Sequence, residues 1–183
     1  MVKSLNNTDN LLVFDLTKLG AAYQIVNMFT DSEAIHVFEI SPIGTQAVLI
    51  LMSKDLILLQ LIQNQCQSLY AADILSSSLV EKVQSHVLDP YLSQQKPHIE
   101  SNLLFVETTF FSTAFKTAQN LVDKGLFILD FRAVRTSPPN LILTATSESV
   151  EKLNQFMLDY PQEKMTLIPK VQKKLKSFFV FEN

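Results

Sequence analysis

Apolar positions along the chain fall into short runs and helix-period stretches, and the two kinds follow one another in the same order twice. Residues 11–16 are a short apolar run with an acid, Asp15, near its end and turn-prone Thr17 behind it, which predicts a buried strand. Residues 20–30 place Ala22, Ile25, Val26 and Phe29 at i, i+3, i+4, i+7 spacing, the stripe of a helix. Residues 35–40 alternate as a strand, Ser41-Pro42-Ile43-Gly44 predicts a break, and 47–52 is a second apolar strand, so the pair reads as a hairpin around a Pro/Gly loop. Ser53 is placed to cap a helix over 54–64 whose apolar face is Leu56, Leu59 and Ile62. A weaker strand is expected over 69–75, then Ser76-Ser77-Ser78 as the cap of a helix over 79–88 that Pro90 stops.

The second half repeats this order. Strands are predicted over 103–107, 126–131, 141–146 and 165–168, and helices over 112–123, 149–158 and 171–179, with Gly125 at a helix-ending left-handed position and Ser147 as a cap. Laid about 92 positions apart, LLVFDLTKLGAAYQIVN and LLFVETTFFSTAFKTAQ share an apolar run, an acid (Asp15, Glu107), threonines, and a helical stretch in which Ala22, Tyr23, Val26 and Phe29 fall on Ala114, Phe115, Ala118 and Leu121. The period is far longer than a solenoid's, so the chain is a duplication of a small domain. The expected boundaries are 11–92 and 103–183, with polar residues 93–102 as the linker. The fold class expected from the element order is α+β: two tandem four-stranded antiparallel sheets, each with helices on one face, in the split β-α-β arrangement. The strands are apolar on both faces (VLILM, LFILDF), so the second face is expected to lie under the other half or another chain.

Composition narrows the class. The net charge of −3 leaves neither a nucleic-acid nor an anionic-membrane footprint, and the late cluster Lys164, Lys170, Lys173, Lys174 and Lys176 reads as a solvated face. The single cysteine, Cys66, excludes an internal disulfide and a cysteine metal cluster and reads as a semi-buried structural thiol. The N-terminus has no apolar signal core, and residues 47–62, the most apolar region, are too interrupted to span a membrane. A soluble, cytoplasmic protein without a cofactor is expected.

With these elements placed, the residues resemble a known family. VETTFFSTAFKTAQNLVDKG (106–125) resembles the opening of bacterial microcompartment shell domains, which run as an apolar strand, Glu-Thr, then an alanine-studded helix. MTLIPK (165–170) resembles the family's closing strand, which ends in Ile-Pro-Arg, and SLVEKV (78–83) is similar to the helix that follows it. Two copies resemble the tandem-domain class. The resemblance implies a permuted ferredoxin-like fold in each half and a trimer of chains closing into a pseudo-hexameric ring that tiles into a shell with other shell-type proteins. It puts the pore loops on Gly44, Thr45 and Gln46 and on Pro138, Pro139 and Asn140. The closing arginine falls on Lys170, with Leu75 or Ser76 in the first half. The family's ring-edge lysine falls on Asp31 and Asp123, whose like charges would repel across a twofold axis. Three glycines and thirteen phenylalanines also depart from the family's glycine- and alanine-rich composition.

Nothing in the sequence points to catalysis. His36, His86 and His98 have no carboxylate or cysteine at ligand spacing, and His36 reads as a partly exposed strand position. Asp15 and Glu107 end equivalent strands and read as caps of the helices that follow, rather than as an acid/base pair. Glu39 and Asp130 are equivalent too. Arg132 and Arg135, with Ser137 and Asn140, are the candidates for holding an anion, although solvated loop arginines are the plainer reading. Glycine-rich phosphate loops and nucleophile elbows are absent. No catalytic, cofactor or metal residues are assigned. The expectation is a non-enzymatic assembly protein that partners with itself, with no nucleic acid or membrane. The alternative is a tandem ferredoxin-like sensor whose small-molecule contacts would lie at helix starts such as Gly20 or Ser112, at the interface between copies.

Overall fold

The computed structural model describes residues 9–29, 33–94, 99–134, 139–172 and 175. The first half runs β1 (Asn10–Leu16), α1 (Leu19–Phe29), β2 (His36–Ile43), β3 (Gln46–Ser53), α2 (Leu56–Leu69), β4 (Ile74–Val80) and α3 (Ser85–Tyr91). The second runs β5 (Asn102–Thr108), α4 (Phe111–Asp123), β6 (Phe127–Val134), β7 (Asn140–Ser147), α5 (Val150–Asp159) and β8 (Lys164–Ile168). Two four-stranded sheets form, ordered β2-β3-β1-β4 and β6-β7-β5-β8, and the strand pairings are antiparallel. This is the expected α+β class. The order β-α-β-β-α-β along each half is the ferredoxin-like order as it stands, reached without permutation.

The central strands β1 and β3 are apolar at nearly every position because each of their faces is covered. On one face of the first sheet, Leu12, Phe14 and Leu16 pack with Leu49 and Leu51 under Ala22 and Ile25 of α1 and Leu59, Ile62 and Cys66 of α2. On the other face, Leu11, Val13, Val48 and Ile50 join a second cluster with Val83, Val87 and Leu88 at and just before α3 and, from the second half, Phe111, Ala114, Phe115 and Ala118 of α4. That cluster continues through α4 into Leu104, Val106, Ile128, Leu143 and Phe156 of the second half. One helix thus serves two sheets. The expectation that the second face lies under the other half holds for the first sheet. On the second sheet, Leu103 and Leu129 pack instead with Ile99, Ile168, Val171 and Leu175.

Both copies are tied at the foot of the sheet by an asparagine. Asn10 Nδ2 donates to the carbonyls of Ser53 and Lys54 at 3.0 and 3.2 Å, and its Oδ1 accepts from Lys82 N at 2.9 Å. Asn102 does the same with Ser147, Glu148 and Lys170 N at 2.9, 2.9 and 3.1 Å. Lys82 and Lys170 both take a left-handed φ, +46° and +53°, which the asparagine oxygen stabilises from the side. Lys82 is therefore the first-half counterpart of Lys170, which corrects the placement on Leu75 or Ser76.

Several boundaries move for identifiable reasons. Helix α2 runs on to Leu69, so the expected strand over 69–75 is displaced and β4 takes Ser76-Ser77-Ser78 as strand residues instead of a cap. Their hydroxyls find partners across the strand: Ser78 Oγ donates to the Ser112 carbonyl at 2.7 Å, and Ser77 Oγ accepts from Gln63 and Gln67. The helix expected over 79–88 shrinks to α3, with Pro90 inside its last turn. Asp55 caps α2 with its side chain and Ser149 caps α5, while Ser53 and Ser147 brace those caps by accepting from the amides of Asp55 and Ser149. Ser41 and Pro42 stay in β2, an edge strand where a missing N–H breaks no ladder. The first hairpin loop is only Gly44-Thr45, between the paired Ile43 and Gln46. Gly125 has φ +71° directly after α4, as expected for a helix end.

Candidate functional site at the seam between the halves

Asp15 sits at the end of β1 and is buried. Its two carboxylate oxygens accept from the backbone amides of Phe111 at 2.8 Å and Ser112 at 2.9 Å, the first residues of α4. It is a cap, but of the other half's helix rather than of α1. A helix start offers amides without intrahelical partners and a partial positive charge, so an anion there is doubly favoured. Burial nonetheless pushes the Asp15 carboxyl above its ordinary value, against the hydrogen bonds from Ser112 and Phe111, which act to lower it. Glu107, its equivalent, caps no helix of its own half; it holds Lys164 Nζ at 2.6 Å.

Beside this cap the seam is hydroxyl-rich. Ser112 Oγ donates to Ser76 Oγ at 2.8 Å, and an open groove of about 340 Å³ runs along β4 and α4, lined by Ser77, Thr113, Lys116 and Asn120 with Tyr160 and Gln162 opposite. A second cleft, of about 700 Å³, brings the equivalent acids Glu39 and Asp130 to one place with Tyr91 and Arg132. Glu39 accepts from the Tyr91 hydroxyl and, at 2.6 Å, from Ser41 Oγ. The Tyr91 ring stands edge-on to Phe115 and Phe131 at 4.9 and 5.0 Å, which fixes the hydroxyl. Asp130 is ion-paired with Arg132; burial raises its carboxyl and the guanidinium opposes that rise. Arg132 is thus already committed to a carboxylate, and Arg135 and Ser137 lie outside the described residues.

The remaining candidates are spread over the surface. Gly44 and Thr45 are exposed and Gln46 is half-buried; Pro139 is buried and Asn140 half-buried, while Pro138 lies outside the described residues. Both hairpins leave their sheets at the end where β1 and β5 finish, as the pairs Leu16–Ala47 and Thr108–Leu141 record. Asp123 Oδ1 accepts from Gln119 Nε2 at 2.8 Å and Gln84 Nε2 at 3.0 Å, and Asp31 lies outside the described residues. Lys170 is exposed. His36 is exposed on β2, as expected; His86 meets the Phe127 ring edge-on at 6.2 Å, and His98 lies outside the described residues. Cys66 is fully buried rather than half so, its thiol pushed up to about 12. Among the described residues no three of His, Cys, Asp or Glu cluster as metal ligands, and no helix is long and apolar enough to cross a membrane. Sequence reasoning missed Asn10, Asn102 and Tyr91. The two asparagines each stand one residue before an apolar strand, so carrying the repeat alignment one position further back reveals them.

The fold and seam define a tandem ferredoxin-like α+β protein. The structure superposes on a microcompartments protein from Desulfitobacterium hafniense DCB with a TM-score of 0.74 at 12% identity, over 93% of this chain and 99% of that one. The two share a tandem fold. The acetolactate synthase small subunit from Thermotoga maritima aligns at 14% identity over 89% of this chain and 94% of that one, with a TM-score of 0.32. A mutant chlorite dismutase from Candidatus Nitrospira defluvii aligns at 9% identity over 97% and 98%, with a TM-score of 0.33. Scores at that level carry no argument. No family model and no curated protein matches the sequence.

Proposed function

We propose that this chain is a non-enzymatic assembly subunit of the microcompartment-shell type, working in the cytoplasm. In this reading three copies close into a pseudo-hexameric ring, with Gly44, Thr45 and Gln46 and Pro138, Pro139 and Asn140 around a central pore. The observation that carries it is the directional contact inside the chain. The second half seats α4 on the first sheet, and a repeat joined to its neighbour head-to-tail closes into a ring when the rotation allows. The fold shared with a microcompartments protein agrees with this. Asp123, already held by two amide donors, and Lys170 lie on the edge where rings, alone or with other shell-type proteins, would meet. An acidic edge disfavours flat tiling.

A sensor is the second reading. It is favoured by the hydroxyl-lined groove at the start of α4, between the halves, where a small molecule would sit. Light scattering on the purified protein over a range of concentrations separates the two. A stable species near three times the 20.7 kDa chain is expected. A monomer or dimer at every concentration would remove the ring and leave the sensor.

A further inference from the structure

The helices that open the two halves are equivalents, yet they are buried differently. In α4, Ser112, Phe115 and Gln119 share one face and all are buried, because α4 sits on β1 and β4 of the first sheet. Their counterparts in α1, 92 positions earlier, are Gly20, Tyr23 and Asn27. All three are exposed, Tyr23 at 57%. Nothing lies within 4 Å of where a Cβ on Gly20 would be.

The receiving surface is unmatched in the same way. Strand register pairs Asp15 with Ser76 in the first sheet and Glu107 with Lys164 in the second. Glu107 and Lys164 therefore occupy the positions from which Asp15 and Ser76 hold the start of α4. Two turns past the start of the helix the chemistry has changed as well. Asn120 and Ser77 line the polar groove of the seam, and their counterparts are Met28 and Met165. Met28 is 50% exposed, and Met165 lines an open apolar pocket of about 500 Å³ with Met157, Pro161 and Leu158, the last 73% exposed. Where the filled seam has Asn120, α1 carries an apolar, half-exposed side chain.

We infer that α1 of one chain docks on the β5–β8 surface of a second copy, as α4 docks on β1–β4 within the chain. Glu107 then exchanges Lys164 for the first-turn amides of the incoming α1, and Met28 falls in the new seam where Asn120 falls in the filled one. The inference rests on the ring reading and adds to it the two surfaces that meet and the carboxylate that caps across them. The contact is head-to-tail, so each copy offers α1 to one neighbour and β8 to the other.

Mixing two variants that each carry one added cysteine tests it. Ser76 Oγ and Ser112 Oγ are 2.8 Å apart, so sulfurs at the counterpart positions, Lys164→Cys in one chain and Gly20→Cys in the other, fall within bridging reach. Native Cys66 is buried and stays out of the reaction. The oxidised mixture is expected to give a cross-linked species at about twice 20.7 kDa on a reducing-agent-free denaturing gel, while neither variant alone gives it. Met28→Glu, at a half-exposed position, is expected to weaken self-association at least tenfold while the circular dichroism spectrum of the dilute chain stays unchanged. Trimers that survive Met28→Glu, with no cross-link in the mixture, would overturn these surfaces and leave the ring standing. A wild-type chain that stays monomeric would overturn both.

Discussion

At the scale of single residues, Asp15 shows two effects in competition. Its carboxylate receives two buried amides, which favours the charged form, while burial disfavours it and prevails. The folded chain then holds a proton to higher pH than the unfolded chain does. Between the ordinary aspartate value of 3.8 and the raised folded value, stability falls as pH rises. Asp15→Asn removes this titration. Urea melts across the acid range are therefore expected to show the wild type losing ground to the variant as pH climbs through that window, with a constant difference above it. The opposite slope would mean that the helix start outweighs burial. Glu107 has no comparable burial; it is half-exposed beside a lysine. Two acids equivalent by sequence thus meet different surroundings, and no residue pattern within one half distinguishes them.

The elements themselves were largely readable. Short apolar runs and 3.6-residue stripes located seven of the eight strands, β4 excepted, and the main helices, because the central strands are buried on both faces and α1, α2, α4 and α5 each present a stripe to a sheet. Failures collect where partners lie outside the local stretch. Ser76-Ser77-Ser78 look like a cap until Ser112 and Gln63 are beside them, and the exposed Leu61 and Leu69 of α2 blur where that helix stops. The seam was foreseen only as a covered face; that Asp15 reaches across it was not, since a contact over 96 positions leaves no trace in spacing. The first hairpin break was expected over 41–44, but Ser41, Pro42 and Ile43 stay paired in β2 and the loop is only Gly44-Thr45, while most of the second loop lies outside the described residues. Gly44 has φ +60°, as the primed two-residue turns require. Gly44→Val puts a β-branched side chain in that region and is expected to cost about 1–2 kcal/mol, measured as a lowered denaturation midpoint with the circular dichroism spectrum preserved.

For the whole molecule, the shared helix decides how the halves unfold. Phe111, Phe115 and Ala118 belong at once to the core of the second half and to the cover of the first. Losing either half strips apolar surface from the other, at about 25 cal/mol per Å² exposed. Calorimetry is expected to give one transition whose van't Hoff and calorimetric enthalpies agree, not two. A separately expressed first half, lacking α4, is expected to aggregate or to bind a dye of exposed apolar surface. Two resolved transitions would show that the cluster is divisible.

The same seam has a consequence in dilute solution. Its two sides are tethered through residues 92–101, so they meet at an effective concentration set by the connecting chain and not by how much protein is present. Dilution cannot part them. Any contact between copies follows mass action instead, so an assembly of this protein would shed whole chains with their seams intact, and the first sheet would never be uncovered on the way.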